Sequence, residues 1–421
     1  MKQYSYLRKP GGEVLMAAAL IAMLFLTRNT LVTTAIVGFN RAQFALAGIV
    51  CLLALGFLIS QRGQLREIFT DRRMVLAAAI GLCLVLPMVA KRDWQMMYFS
   101  ILFCPLAAIF FTYFRDSREL ARIYVAALTV IALYSIAATY FLRGLQEAGV
   151  LSVPTFENSL QVRFYNFGLS FVSIDYVMNR NFGIFREPGV YQYFLMLGLF
   201  LNSCYIPWKR EWIMWVINGI LAAAMLTTLA TGGMIELALF ALFLFWEKKL
   251  YRKPLTWVVI ALLAALGAWK LGEAVREHNT LYWELYAMFV SKFQPGEESW
   301  TDRIGSVLQN GAWFLQNPLV GGKIAQVLYA VENNTSSTMI LYAILGILGG
   351  SIHVASWVAL VWDRKRNILA NGLLLAILFM SFNTQNLTAD FFFWLFPTMA
   401  LVEKGLPLWD KLQMRGKHHG A

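Results

Sequence analysis

Charged residues are scarce in this sequence. Asp, Glu, Lys and Arg make up 14% of its 421 residues and hydrophobic residues make up 59%, whereas a soluble globular protein carries about 25% charged residues. A soluble fold of this length cannot bury so many apolar side chains and still cover its surface with polar ones. The same composition excludes a disordered chain. It therefore predicts a protein that resides in a membrane.

Histidine and cysteine are also rare, with four residues of each. The cysteines lie in or beside apolar runs, and no pair has the spacing of a metal site or a disulfide framework. The motifs HExxH, GxSxG and the P-loop are absent. We therefore predict neither a metal nor a cofactor. The net charge of +12 comes without a basic stripe interleaved with aromatic residues, so no nucleic-acid partner is predicted.

What the sequence does contain is a series of long apolar runs. A membrane-spanning helix needs about 20 apolar residues, and this length identifies twelve candidate spans. They are residues 12–30, 42–60, 74–91, 94–114, 120–142, 189–207, 211–230, 232–247, 254–271, 337–362, 367–385 and 388–403. The predicted fold class is an all-α, polytopic integral membrane protein whose residues 1–421 form a single membrane domain.

The basic residues predict the orientation of these spans. If the N-terminus is cytoplasmic, 23 of the 36 Lys and Arg residues lie in cytoplasmic segments, as the positive-inside rule requires. Both termini are then cytoplasmic. Two long connections lie on the outer, extracytoplasmic side, at residues 143–188 and 271–336. Because long loops in compact proteins are usually functional, we expect the chemistry of this protein in these two loops.

Four arginines in the outer loops are candidate anion-binding residues: Arg163, Arg180, Arg186 and Arg303. Arginine is always charged, and its planar guanidinium holds a phosphate through two hydrogen bonds. Arg180 and Arg186 lie six residues apart on a segment bent by glycine and proline, so both are expected to face one anionic group. The alternative is that they extend to the membrane interface or pair with Glu187 and Asp302.

Glu187 follows Arg186 directly and precedes a proline near the predicted membrane edge. A carboxylate in this position can accept the proton of a sugar hydroxyl, as the general base of a glycosyl transfer must. It can equally be a structural partner that holds Arg186 in place. The residues alone leave both roles open.

Aromatic side chains are frequent in the outer loops. Their faces stack on sugar rings, although most aromatic residues near a membrane form interfacial belts. Trp300 and Trp313 bracket Arg303 in a turn-rich segment and are the better candidates for binding a sugar. Tyr191 and Asn334 complete the predicted substrate-binding set, together with Arg163.

Three segments resemble a known family. RNFGIFREPGVYQYF, residues 180–194, together with the arrangement of spans and outer loops, resembles the Wzy-type O-antigen and capsular polysaccharide polymerases. WTDRIGSVLQNGAWFLQNPLVGG, residues 300–322, followed by LYAILGILGG, is similar to a stretch shared by these polymerases and the O-antigen ligases. TTLATGGMIELALF, residues 227–240, is similar to a short family motif, although Gly232 and Gly233 stand where Ser-Arg is usual.

The resemblance implies a GT-C-like membrane glycosyltransferase that uses a lipid carrier and no metal. Its donor and acceptor would both be undecaprenyl-diphosphate-linked oligosaccharides, joined with inversion into O-antigen, capsule or exopolysaccharide, as in lipopolysaccharide biosynthesis. Arg180, Arg186 and Arg303 would hold the donor diphosphate and stabilise its departing charge. The implied location is the bacterial inner membrane with a periplasmic active site, and a co-polymerase that regulates chain length is an implied partner.

One departure bears on the choice within this superfamily. O-antigen ligases carry a His in the outer loop before the helix that contains GxxG, and the comparable residues 333–337 contain none. This favours a polymerase over a ligase that transfers glycan to lipid A-core. A lipid-linked oligosaccharide transporter is disfavoured because few ionisable residues lie in the apolar runs. One of them, Glu236, is costly in hydrocarbon and is expected to face the interior of the bundle. A scaffold protein of the envelope is a further alternative.

Overall fold

The computed structural model describes residues 10–62, 65–158, 161–175, 179–278, 282–283, 286, 290, 298–330 and 334–418. The described chain is mostly helical, and a helix covers part of each of the twelve apolar runs. Among the described residues, five helices are long and apolar enough to cross a membrane: Phe39–Ser60, Arg72–Lys91, Ser117–Glu147, Pro254–Glu277 and Ser337–Val361. The predicted helical, membrane-embedded character is confirmed at this level.

The helices follow one another with short connections outside the two predicted outer loops. They are α1 (Pro10–Leu26), α2 (Phe39–Ser60), α3 (Leu65–Phe69), α4 (Arg72–Lys91), α5 (Met96–Phe111), α6 (Ser117–Ala137), α7 (Arg143–Glu147), α8 (Pro188–Phe200), α9 (Glu211–Thr227), α10 (Thr231–Glu247), α11 (Pro254–Glu277), α12 (Glu298–Gln316), α13 (Ile324–Tyr329), α14 (Ser337–Val361), α15 (Ile368–Asn383) and α16 (Phe391–His418). Short π-helical segments at Val32–Val37, Ala138–Leu142 and Leu201–Tyr205 adjoin α2, α6 and α8, and a 3-10 turn occupies Leu250–Arg252.

Helix α8 forms the centre of the bundle. Its residues 190–200 are all buried, because α6, α9, α10 and α15 pack around it. A helix that is apolar on every face is stable only in such surroundings. The outer helices present the opposite pattern, since Leu52 of α2 and Leu255 of α11 are each 71% exposed. Exposed apolar surface on this scale is suited to lipid contact rather than to water.

The first outer loop contains a small sheet, which the all-helical prediction did not include. Strands β1 (Thr155–Glu157), β2 (Arg163–Asn166) and β3 (Phe171–Ser173) pair antiparallel in the order β1-β2-β3. Phe156 stacks on its cross-strand partner Phe164 with 5.5 Å between ring centroids. The sheet is held to the chain before α8 by a hydrogen bond of 2.8 Å from Phe171 N to Gly183 O.

The end of the second outer loop docks onto a kink in α14. Gly346 has φ +66°, and a Cβ built there would lie 2.1 Å from Leu319 O, so only glycine fits. The carbonyl of Pro318 accepts a hydrogen bond of 2.7 Å from Ile347 N at the kink. Residues 318–319 at the end of the second loop therefore pack against residues 346–347 of α14, which fixes α12 beside α14.

The helix ends gather at two opposite faces of the bundle. One face, termed the basic face, collects helix ends that the sequence predicts to be cytoplasmic. Hydrogen bonds join them in pairs: Ser117–Glu403, Arg122–Pro207, Arg366–Glu247 and Lys404–Trp362. The opposite face holds the starts of α8 and α10. The 13 residues of α8 and the five of the π-helical segment after it connect the two faces. They extend about 27 Å at about 1.5 Å per residue, close to the ~30 Å hydrocarbon core of a bilayer.

Candidate functional site

A cavity of about 380 Å³ opens at the face opposite the basic face. Its walls come from the chain before α8, the starts of α8 and α10, the sheet, α12 and the connection between α15 and α16. Four residues singled out from the sequence line it: Arg180, Arg186, Glu187 and Arg303. The cavity, termed the arginine cavity, therefore joins two outer-loop segments that lie more than a hundred residues apart in the chain.

Residues 180–187 form an irregular segment that main-chain hydrogen bonds fix in place. Arg186 N donates to Asn29 O at 3.0 Å, and Leu31 N donates to Ile184 O at 2.9 Å. The segment turns at Gly183, where φ is +54° and a Cβ would lie 2.9 Å from the ring of Tyr191. The glycine noted in the sequence is thus required by both the backbone angle and the close ring.

A buried asparagine completes this turn. Asn181 Nδ2 donates to Ser135 Oγ at 3.0 Å and to Thr227 Oγ1 at 2.9 Å, and its Oδ1 accepts from Gly183 N at 3.0 Å. A buried amide whose donors and acceptor are all paired specifies one geometry, because any other position leaves polar atoms unsatisfied. The arginines on either side of it are positioned accordingly.

Arg180 is anchored at the end of α9. Its Nε donates to Thr228 O at 3.1 Å, and the side chain is half-buried. A cation is stabilised at a helix C-terminus, where unpaired carbonyls concentrate negative partial charge. The guanidinium is therefore held by one edge at the cavity wall.

Arg186 and Glu187 approach each other without forming a tight pair. Arg186 Nε lies 3.5 Å from Glu187 Oε1, and both side chains are more than a third exposed. Among the described residues, the buried Arg186 Nε makes no hydrogen bond. Such a pair is too long and too exposed to hold Arg186 strongly. The contact therefore supports a structural role for Glu187 only weakly, and its role as a base stays a prediction.

Arg303 enters the cavity from the first turns of α12. Partial removal from water lowers the pKa of Arg303, while the nearby Glu236 carboxylate opposes that shift. Arginine stays protonated at neutral pH in either case. The cavity therefore carries three guanidinium groups and one exposed carboxylate.

Glu236 lies beneath the floor of the cavity and, as expected, is fully buried in the bundle. Its Oε1 accepts a hydrogen bond of 2.7 Å from Nε2 of Gln192, a cavity-lining residue. Its Oε2 is buried without a hydrogen-bond partner among the described residues. A Cβ at Gly233 would lie 2.8 Å from Gln192 Cγ. Glycine at position 233 therefore makes room for the Gln192 side chain.

Two helices begin at the cavity. Pro188 starts α8 and Thr231 starts α10, and neither helix has a hydrogen bond from a capping side chain. The first-turn N–H groups of a helix carry positive partial charge and bind anions readily. These two helix starts add to the charge of the arginines, so the geometry suits a multiply charged anion such as a diphosphate.

The other predicted arginine lies outside the cavity lining. Arg163 is on β2, and its Nη2 is 2.7 Å from Asp175 Oδ1. Hydrogen bonds from Arg163 hold the pKa of Asp175 below its ordinary value of 3.8. Its neighbour Phe164 does line the cavity. The structure therefore shows Arg163 bracing the sheet, and its substrate-binding role stays a prediction.

Two more predicted substrate-binding residues, Tyr191 and Asn334, use their polar groups in structural contacts. The Tyr191 ring lies under Gly183, and its hydroxyl is 3.1 Å from Ser135 Oγ. Asn334 Oδ1 accepts hydrogen bonds from Ser306 Oγ and Asn310 Nδ2 at 2.9 and 2.8 Å. Both residues hold the walls of the site rather than line it, Tyr191 below the turn and Asn334 between α12 and the chain before α14.

Trp300 and Trp313 were both predicted to bind a sugar, and neither prediction is tested by the structure. Trp313 packs against Gly322, since a Cβ added to that glycine would lie 3.2 Å from the Trp313 ring. Trp313 does not line the arginine cavity. Trp300 belongs to the first turn of α12, but its side chain lies outside the described residues. Their proposed contact with a sugar stays a prediction.

Within the part of the chain that the structure describes, no group of three or more His, Cys, Asp or Glu residues is arranged to hold a metal ion. No protein-family model matches the chain, and neither the curated proteins nor the solved structures include a significant match.

Sequence reasoning missed several residues at this site. Gln192 and Gln385 line the cavity, and Arg28 stands behind it, interacting electrostatically with Arg186 and Asp390. Arg28 Nη1 is buried without a hydrogen bond among the described residues. For each of these residues the sequence contains a feature that points to a polar or charged environment. An amide in or beside an apolar run needs a polar partner. An arginine at the end of the first run that the sequence predicts to be extracytoplasmic opposes the positive-inside trend.

Proposed function

We propose that this protein is a membrane glycosyltransferase that joins oligosaccharide repeat units carried on undecaprenyl diphosphate, as an O-antigen or capsular polysaccharide polymerase. The observation that carries the proposal is the arginine cavity. Arg180 and Arg186 on one outer loop and Arg303 on the other line a single cavity together with Glu187. Three guanidinium groups and two uncapped helix starts match a diphosphate in charge and in hydrogen-bond donors.

The proposal includes the membrane arrangement. The chain would cross the inner membrane of a bacterium twelve times in a GT-C-like fold, with both termini in the cytoplasm and the arginine cavity on the periplasmic side. The basic face supports this orientation, because it gathers the cation-rich connections at one end of the bundle. The length of about 27 Å of α8 and the π-helical segment after it supports a position of the cavity near the opposite membrane surface.

The chemistry follows from the charge that develops during transfer. A hydroxyl oxygen of the acceptor sugar forms a bond to the anomeric carbon of the donor, and the bond from that carbon to the phosphate oxygen breaks. The leaving lipid diphosphate takes the electron pair, and the arginines stabilise the resulting negative charge. The hydroxyl proton passes to a carboxylate. Glu187 is our candidate because its side chain is exposed in the cavity.

The test uses purified protein in liposomes with a lipid-diphosphate-linked repeat unit as the sole substrate and a metal chelator present. The products are separated by size. A ladder of lengthening glycans supports the polymerase. Transfer only after lipid A-core is supplied would replace it with a ligase. Movement of the substrate across the bilayer without any transfer would replace it with a transporter.

A further inference from the structure

A second cavity, of about 720 Å³, lies at the basic face. It is formed where the π-helical segment after α8 and the end of α14 meet the start of α6 and the middle of α16. We term it the basic cavity. It shares no lining residue with the arginine cavity. Along α8 the arginine cavity reaches Gln192 and the basic cavity begins at Phe200, about 12 Å further along the helix.

The rim of the basic cavity is cationic. Five basic side chains line it, against a single acidic one, Asp363. Two of the five are engaged: Arg366 Nε lies 3.2 Å from Glu247 Oε1, and Lys404 Nζ donates to Trp362 O at 2.7 Å. The other three are exposed and make no ion pair among the described residues: Arg118, Arg364 and Lys365.

The wall of the same cavity is apolar. Phe200, Val358 and Leu401 contribute to it, and Ala355 leaves space beside them. A soluble anion would be recognised by the cationic rim alone and would leave this wall in contact with water. An apolar wall next to a cationic rim at the end of a membrane helix instead fits a molecule that is anionic at one end and apolar at the other.

We propose that the basic cavity binds an anionic diacyl phospholipid, with its phosphate among the cations of the rim and the start of an acyl chain along the apolar wall. The inference does not depend on the proposed glycosyl transfer. It rests on the combination of excess positive charge, an apolar wall and a position at the end of the bundle where the sequence predicts the cytoplasmic membrane surface. Anionic lipids give that surface its negative potential.

The experiment measures lipid retention by native mass spectrometry of the full chain purified in neutral detergent. The probes are dioleoylphosphatidylglycerol, dioleoylphosphatidylcholine with the same acyl chains, and glycerol 3-phosphate as a soluble headgroup. We expect specific, saturable binding of phosphatidylglycerol and at least about tenfold weaker binding of the other two, because each cation near an anionic lipid strengthens its binding.

Two variants test the rim and the wall separately. Arg118→Gln/Arg364→Gln/Lys365→Gln removes three cations and is expected to weaken phosphatidylglycerol binding at least about tenfold. Ala355→Phe fills the space along the wall without changing charge and is expected to weaken binding as well. The matched control, Arg210→Gln/Arg252→Gln/Lys253→Gln, removes two Arg and one Lys from exposed positions outside the cavity lining and is expected to bind like the wild type.

Three results would overturn the proposal. Equal retention of phosphatidylcholine would show that charge is not recognised. Equal loss in the triple variant and in its control would show a diffuse surface effect. Saturation by glycerol 3-phosphate with no effect of Ala355→Phe would show a site for a soluble anion. Unchanged elution and unfolding temperature without lipid verify that each variant is folded.

Discussion

The arginine cavity and the basic cavity both carry several cations, yet they arise for different reasons. The basic cavity lies where the positive-inside rule places Lys and Arg, and its cations adjoin the ends of α14 and of the segment after α8. Negative partial charge at those helix ends offsets only part of the charge of the five cations. The arginine cavity lies at the starts of α8 and α10, where positive partial charge adds to Arg186 and Arg303. In the arginine cavity the helix starts therefore add to the arginines, whereas in the basic cavity the side-chain cations outnumber the acidic side chains but act against the helix ends.

The largest expected effect is a loss of glycosyl transfer when the arginine cavity is changed. Arg186→Gln removes a donor from the proposed diphosphate site, and we expect transfer to fall about 100- to 1,000-fold in the liposome assay. Arg186→Lys keeps the charge but loses the planar fork, so it should recover only part of the activity. Arg276→Gln, at an exposed position near the end of α11, is the control. Equal losses in Arg276→Gln and Arg186→Gln would contradict the site.

The next effect concerns the wall of the arginine cavity. Gly183→Ala combines a positive φ with a Cβ 2.9 Å from the Tyr191 ring, so the free energy of unfolding should fall by about 2–3 kcal/mol. Gly168→Ala is the matched control, because Gly168 has φ +83° but open space around a Cβ. Its loss should stay near about 1 kcal/mol. Denaturation in detergent measures both, and equal losses would show that the ring contact is unimportant.

A smaller effect tests the polar layer under the cavity floor. Gln192→Met removes the hydrogen bond to the buried Glu236, which should destabilise the fold by about 1–3 kcal/mol because the carboxylate loses its partner. Gln192→Met/Glu236→Met removes both polar groups and should recover much of that stability. If the double variant is less stable than Gln192→Met alone, Glu236 has another stabilising partner.

The smallest effect concerns the sheet beside the cavity. Arg163 lowers the pKa of Asp175, so the pair stabilises the fold above the ordinary carboxyl pKa of 3.8, and this contribution is lost as pH falls through the lower native value. Asp175→Asn should therefore lower the unfolding temperature slightly at pH 7 and match the wild type once the pH lies below that native value. A difference that persists there would mean that the pair does not act through ionisation.

Much of the frame of the molecule could be predicted from the sequence, because long apolar runs form helices in a membrane wherever the rest of the chain goes. The prediction that Arg180 and Arg186 face one place is confirmed, since both line the arginine cavity. It was possible because the two arginines and the glycine between them are close in the chain. Tyr191 and Asn334 illustrate the limit. Both have the residue types of a binding site, yet their hydroxyl and amide groups are used in contacts with Ser135 and Asn310.

The sequence by itself therefore determined the helical membrane character, the charge asymmetry of the connections and the candidate arginines. Only the tertiary structure decided that Arg303 lines the same cavity as Arg186, that Arg163 pairs with Asp175 instead, and that a second cavity forms at the basic face. The physical reason is the range of the interactions involved. Hydropathy and backbone angles are set by neighbouring residues, whereas a cavity exists only after distant helices have packed and each polar group has found its partner.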